Sequence, residues 1–242
     1  MKRYLFLLLA LPFVTSALAA SVMLHPNGNM VVLEGRIDVG DFDKIEKLAR
    51  EASPTAIYLA SPGGNLAEAI KIGALVRRLA WETKSAEPMS APPEMRAAVA
   101  RSLGVRDPAR NNLCASACFF IFVSGIYRDG HAIGIHTPYV TRSELDRAPL
   151  DGVTRDGSVK LGVGQFLRRM GVPQKYLDAI YEVPKEKLRW LTEDEIQADF
   201  QGFIPEVREW VKTQCGDDAA TRRCKDDVMM GIRLRTLEQA GH

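Results

Sequence analysis

Between Met30 and Leu79 the chain alternates two apolar rhythms, and that alternation limits its fold more than any other feature. MVVLEGRI (30–37) is apolar with interruptions and reads as a strand. Phe42, Ile45, Leu48 and Ala49 then recur at helical spacing, which predicts an amphipathic helix over 41–52. After Ser53-Pro54, the run AIYLAS (56–61) is short and apolar, as a buried strand is. Pro62-Gly63-Gly64-Asn65 turns the chain, and LAEAIKIGALVRRL (66–79) reads as a second helix. Strands joined through helices run the same way, so this order predicts an α/β domain with a mostly parallel sheet.

Residues 81–112 break the rhythm. Pro88, Pro92, Pro93 and Pro108 bracket one short helical stretch, 94–103, so the segment reads as an inserted surface excursion or lid. The run 115–123 is too uniformly apolar for a surface helix and is expected to be buried on all sides. AIGIHTPY (132–139) reads as a further strand, and 140–158 is polar and rich in turn residues. Helices are expected at 160–170, 174–181 and 193–200. The last part, 205–242, is charged and reads as a helical extension. The expected organisation is a leader at 1–19, one domain at 20–204 and that extension.

Lys2 and Arg3 precede an apolar run from Tyr4 to Val14, and Ala17-Leu18-Ala19 fits a small-residue cleavage site. That pattern is a secretory signal peptide, because its apolar stretch is too short to cross a bilayer. The expected location is the periplasm or the exterior, with no stable membrane insertion after cleavage. Losing the leader lowers Lys plus Arg from 32 to 30, equal to the 30 acids. A formally neutral chain argues against nucleic acid as the main partner. In an exported chain, Cys114, Cys118, Cys215 and Cys224 are read first as disulfides. Cys215 and Cys224 flank an acidic loop and suit a local clip. Cys114 and Cys118 are then left for each other or as buried thiols. At helical spacing their Cα atoms would lie about 6 Å apart, within disulfide reach.

Three short motifs carry possible chemistry. Ser61-Pro62-Gly63-Gly64 reads as a plain strand-to-helix turn, or as a turn whose amides face a cleft, as an oxyanion hole requires. It lacks the Lys-Ser/Thr ending of a phosphate loop. Ser116, in NNLCASACFFIFVSG (111–125), sits at the start of the buried helix, as a cap or as a nucleophile between two small alanines. The N–H of Ala117 lies where a second oxyanion donor belongs. A serine nucleophile needs a base, and of the four histidines His136, at the exit of its strand, is the best placed. Zinc on Cys114 and Cys118 lacks enough further ligands, and the C-x-x-x-C spacing is not the redox C-x-x-C. No metal or cofactor is expected.

Together, Ser61-Pro62-Gly63-Gly64 with its following helix, the Ser116 segment and Ile133-Gly134-Ile135-His136 resemble one family. They look like the proteolytic subunit of Clp-type serine proteases, on the Clp/crotonase fold, and are similar to exported relatives carrying Cys-x-Ser-Ala-Cys. The resemblance spans about 30–200. It implies repeated ββα units with helices packed around a mostly parallel sheet. It implies Ser116 as nucleophile, His136 as general base, and the N–H groups of Gly64 and Ala117 as the oxyanion hole. The family's orienting aspartate has no counterpart before Leu191-Thr192-Glu193; Glu186 is the nearest carboxylate, and a backbone carbonyl is the other option.

The resemblance implies a serine endopeptidase acting on peptides or unfolded chains, and a homo-oligomer. Outside the cytoplasm there is no ATP, so no ATPase partner is expected. Two further readings remain: a catalytically silent Clp-like binding or scaffold protein, and an acyl-CoA enzyme of the crotonase type, against which export argues.

Overall fold

The computed structural model describes residues 20–88, 90–139, 155–216 and 224–232. The leader at 1–19, most of the polar stretch 140–158 and the end of the C-terminal extension lie outside them. The fold is mixed α/β. Its main sheet has six strands: β1 (Ser21–Leu24), β2 (Met30–Glu34), β3 (Ala56–Ala60), β4 (Glu82–Ser85), β6 (Tyr127–Gly130) and β9 (Gly202–Phe203), in that spatial order. β2, β3, β4 and β6 are parallel, and β1 and β9 close the edges antiparallel. A second sheet holds β5 (Cys114–Ala115), β7 (Ile133–Ile135) and β8 (Arg189–Trp190).

Both faces of the main sheet are covered, which is why its central strands read as continuous apolar runs. Along β2 and β3 the period of two divides the side chains cleanly. Val31, Leu33, Ile57 and Leu59 join the larger core with α1 (Asp41–Ala52), α2 (Leu66–Arg78) and α5 (Ala117–Phe122). Met30, Val32, Tyr58 and Ala60 face the other way, against Ala100 of α3 (Pro93–Ser102) and Val105. Every side chain of α5 is buried, as its uniform composition predicts.

The excursion assigned to 81–112 needs correction. Its first residues form β4, an interior strand between β3 and β6. The sequence Glu-Thr-Lys-Ser carries no apolar alternation because hydroxyls fill the inward positions. Thr83 Oγ1 donates to the carbonyl of Phe122 at 2.8 Å and Ser85 Oγ to that of His131 at 3.1 Å, so both are buried with their hydrogen bonds made. The remainder, α3 and α4 (Pro108–Asn111), is the cover of the second sheet face and not a detached lid. Glu34 pins it there. Its buried carboxylate accepts the N–H groups of Arg106 at 2.9 Å and Asp107 at 2.7 Å, and Asn111 Nδ2 at 3.3 Å.

Among the described residues, β6 and β7 are followed by α6 (Arg155–Arg169), the order of a ββα unit. Elsewhere its second strand shrinks to single bridges, Ile37 to Gly64 and Ser61 to Cys114, which tie both sheets to the glycine turn. The expected strand at 132–139 is β7 alone, since its partners β5 and β8 have two residues each and pair no further than Ile135. α7 (Gln174–Glu182) and α8 (Glu193–Asp199) follow the expected spans closely. In the extension, α9 (Pro205–Cys215) and the helical residues 224–232 dock through Val211, Val228 and Met229 onto Ala80 and Ile126. Among the described residues no helix is long and apolar enough to cross a membrane.

Glu34→Ala removes the shared acceptor of three donors, the part-buried N–H groups of Arg106 and Asp107 and the buried Asn111 amide; each orphan costs about 1–3 kcal/mol less whatever water recovers. The expected loss is about 3 kcal/mol, read as a lower urea midpoint. Limited proteolysis should then cut first between Gly104 and Asn112.

Candidate active site

Ser116 occupies the corner between β5 and α5, with φ 58° and ψ −125°. A non-glycine residue holds such angles only where its surroundings dictate them. The surroundings here are three. The Ser116 N–H donates to the carbonyl of Gly134 in β7 at 2.9 Å, so the small sheet fixes the strand side of the corner. The helix side starts at once, with the Phe119 N–H on the Ser116 carbonyl at 3.0 Å. Third, Cys114 and Cys118 are joined by a disulfide across the serine, Cα to Cα 5.3 Å. Both sulfurs are therefore bonded to each other and not available as metal-binding thiolates. Cys215 and Cys224 form the second disulfide.

Ser116 stands at the cap position of α5 but its side chain caps nothing there. Its hydroxyl instead lies 2.7 Å from Nε2 of His136. The parallel pairing of Ala115 with Gly134 lays the ends of β5 and β7 side by side, and Ser116 and His136 are the residues just past those ends. The imidazole is 9% exposed, and its Nδ1 lies 2.8 Å from the backbone carbonyl of Thr137. A carbonyl only accepts, so in the neutral ring Nδ1 carries the proton and Nε2 presents its lone pair to Ser116. Thr137 is itself held: its N–H donates to the carbonyl of Val183 at 2.8 Å and its hydroxyl to the same oxygen at 2.6 Å.

Glu186 does not take the third position. Its carboxylate is largely exposed and sits 3.9 Å from Lys185 Nζ, while the His136 Nδ1 proton is already accepted by Thr137. His131 is distant in role, 2.6 Å from Glu193 at the far end of β7.

The glycine turn lies directly against this corner. A Cβ on Gly63 would fall 2.6 Å from Ser116 Cβ, 2.7 Å from the Ala115 carbonyl and 2.9 Å from the Ala117 nitrogen. A Cβ on Gly64 would fall 2.1 Å from the Ile37 carbonyl oxygen. Their φ values of 99° and 146° add a second reason for glycine at both. The Gly63 N–H donates to Ser61 Oγ at 3.0 Å, and the amides around Gly64 bond to Ile37. Among the described residues, the N–H groups of Gly64 and Ala117 have no acceptor. Both residues line a small recess beside Ser116 with Leu66, Phe120 and Pro138. Two unengaged amides beside a hydroxyl bonded to an imidazole can receive a developing negative charge as the hydroxyl attacks.

In front of Ser116 and His136 opens a cleft of about 810 Å³. Tyr139 stands at its edge, ring centroid 6.1 Å from that of His136 and inclined by 29°. Sequence reasoning offered a backbone carbonyl for His136 without naming Thr137, and missed Tyr139 and the role of Ser61 in shaping the turn. Only the position of Ser61 next to Pro62-Gly63-Gly64 could have signalled the last.

Gly63→Ala forces a methyl into occupied backbone space at a strained φ, and a loss of about 2–4 kcal/mol is expected in urea unfolding. Alkylation of the unfolded, unreduced protein should add no mass at Cys114 or Cys118, and full labelling of both should appear only after reduction.

No protein-family model and no curated protein matches the chain. Among solved structures it is similar to the 1510-N membrane-bound stomatin-specific protease, in a mutant form. The identity is 14% and the TM-score 0.40, over 73% of this chain and 77% of that one.

Proposed function

We propose that this chain is an exported serine peptidase that cleaves peptides or unfolded chains, built as a Clp/crotonase-like domain over 20–204 with a helical extension. The observation that carries the proposal is the 2.7 Å contact between Ser116 Oγ and His136 Nε2 beside the unengaged amides of Gly64 and Ala117. In this reading, His136 Nε2 takes the Ser116 proton as Oγ bonds to the substrate carbonyl carbon. The Gly64 and Ala117 N–H groups receive the oxyanion. The imidazolium then gives its proton to the leaving amine, and the acyl-serine is hydrolysed by water with His136 as base again.

The Thr137 carbonyl sets the tautomer and ring orientation but brings no full negative charge to the imidazolium. A backbone acceptor therefore predicts a slower enzyme than a carboxylate would give. The same observation favours the second reading, a Clp-like peptide-binding protein without turnover.

The two disulfides, and the lack of a membrane-crossing helix among the described residues, are compatible with a periplasmic or extracellular location. The leader at 1–19 and a homo-oligomeric assembly belong to the proposal and rest on the sequence and the resemblance.

A fluorophosphonate probe should label the protein, and Ser116→Ala should abolish labelling. His136→Ala should slow labelling by about 10²–10⁴-fold with an unchanged far-ultraviolet spectrum. Well-folded wild-type protein that stays unlabelled would favour the binding reading. Full reactivity in His136→Ala would remove His136 as the base.

A further inference from the structure

The cleft in front of Ser116 is chemically lopsided. Five cations line it, Arg36, Arg106, Arg110, Lys185 and Lys187, against three acids, Glu34, Asp107 and Glu186. The Glu34 carboxylate is buried, holds two backbone N–H groups and Asn111, and lies 3.7 Å from Arg106 Nε. Glu186 lies beside Lys185. Asp107 Oδ1 accepts the Arg110 N–H at 3.3 Å, at the start of α4. Three of the cations differ from the rest in having no ion-pair partner among the described residues. They are Arg36, Arg110 and Lys187, all exposed.

These three come from separate parts of the chain. Arg36 follows β2 and immediately precedes Ile37, whose backbone is bonded on both sides of Gly64. Arg110 belongs to α4, the short helix that Glu34 ties to the sheet. Lys187 lies between α7 and β8, with its N–H on the Pro184 carbonyl at 2.9 Å. Their convergence follows from the backbone around the site, so it is not a solvated face of one helix. A cleft lined by more cations than acids raises the local concentration of anions.

We propose that Arg36, Arg110 and Lys187 select acidic peptide segments, with Asp or Glu flanking the bond presented to Ser116. The proposal deepens the peptidase reading and rests on it for the identity of the reacting bond. The carboxylates of such a segment meet cations with no ion-pair partner among the described residues, whereas Lys or Arg at the same places meet like charge. The selectivity is Coulombic and therefore falls as salt rises.

The test uses the full-length Ser116→Ala protein and three fluorescent unstructured peptides, identical but for Glu, Gln or Lys at the same positions. Binding by anisotropy should be on the order of tenfold tighter for the Glu peptide than for its Gln counterpart at low ionic strength, and weakest for Lys. The difference should shrink in high salt. Adding Arg36→Glu with Arg110→Glu should erase the preference. Adding Lys47→Glu, an exposed change on α1 outside the cleft, should keep it. Equal affinities for the Glu and Gln peptides overturn the proposal. So does single-stranded DNA of equal charge binding more tightly than the Glu peptide. Fluorophosphonate labelling of wild-type protein reads the peptidase assignment separately. A labelled protein without acidic preference overturns only the inference; an acidic preference in an unlabelled protein leaves the selectivity and overturns the peptidase.

Discussion

Two strand-to-helix turns meet with no side chain between them, and most of the molecule can be understood as arranging that meeting. The turn after β3 carries Gly63 against Ser116 and Ala117 at distances that leave no room for a methyl group. Each turn is anchored on its own sheet, and the bridge from Ser61 to Cys114 joins the two. Backbone thus lies against backbone around the hydroxyl, and the amides of Gly64 and Ala117 remain open to the recess beside it. A larger residue at either glycine would separate the turns and displace the serine from its neighbours.

The packing around this contact is rigid on the serine side. α5 is a short helix with every side chain buried, and α2 packs along it from the start of the glycine turn. Interiors of this density respond to displacement as a whole and not residue by residue. On the opposite side the cleft wall is built from shorter pieces, held by polar bonds: Glu34 gathers α4, and Thr137 holds the His136 segment to the end of α7. The site therefore combines an apolar foundation under Ser116 with hydrogen-bonded walls around the opening.

The long, strongly periodic elements were legible in the sequence. α1, α2 and β3 declare themselves because each places apolar residues at one clear period over enough length. β4 was not legible, since Thr83 and Ser85 enter the interior with their hydroxyls satisfied, and no apolar signal marks them. β5, β8 and β9 have two residues each, so their pairing comes from neighbours and not from their own composition. Ser116, His136 and the glycines could be named from residue type and order. Their spacing could not, and neither could the acceptor for His136, because every residue owns a carbonyl and only the fold decides which one faces an imidazole. The three cleft cations are likewise scattered in sequence, and only the fold makes them line one cleft.

The bridge between Cys114 and Cys118 closes a ring of only five residues. A covalent link across so short a loop removes little freedom from the unfolded chain, about 2 kcal/mol on the loop-entropy scale, less than a long-range bridge would. Its reach is local: the one residue at the centre of the ring is Ser116, whose backbone angles are the costly ones. The bond therefore serves less as a brace for the whole domain than as a clamp on the shape of a single corner.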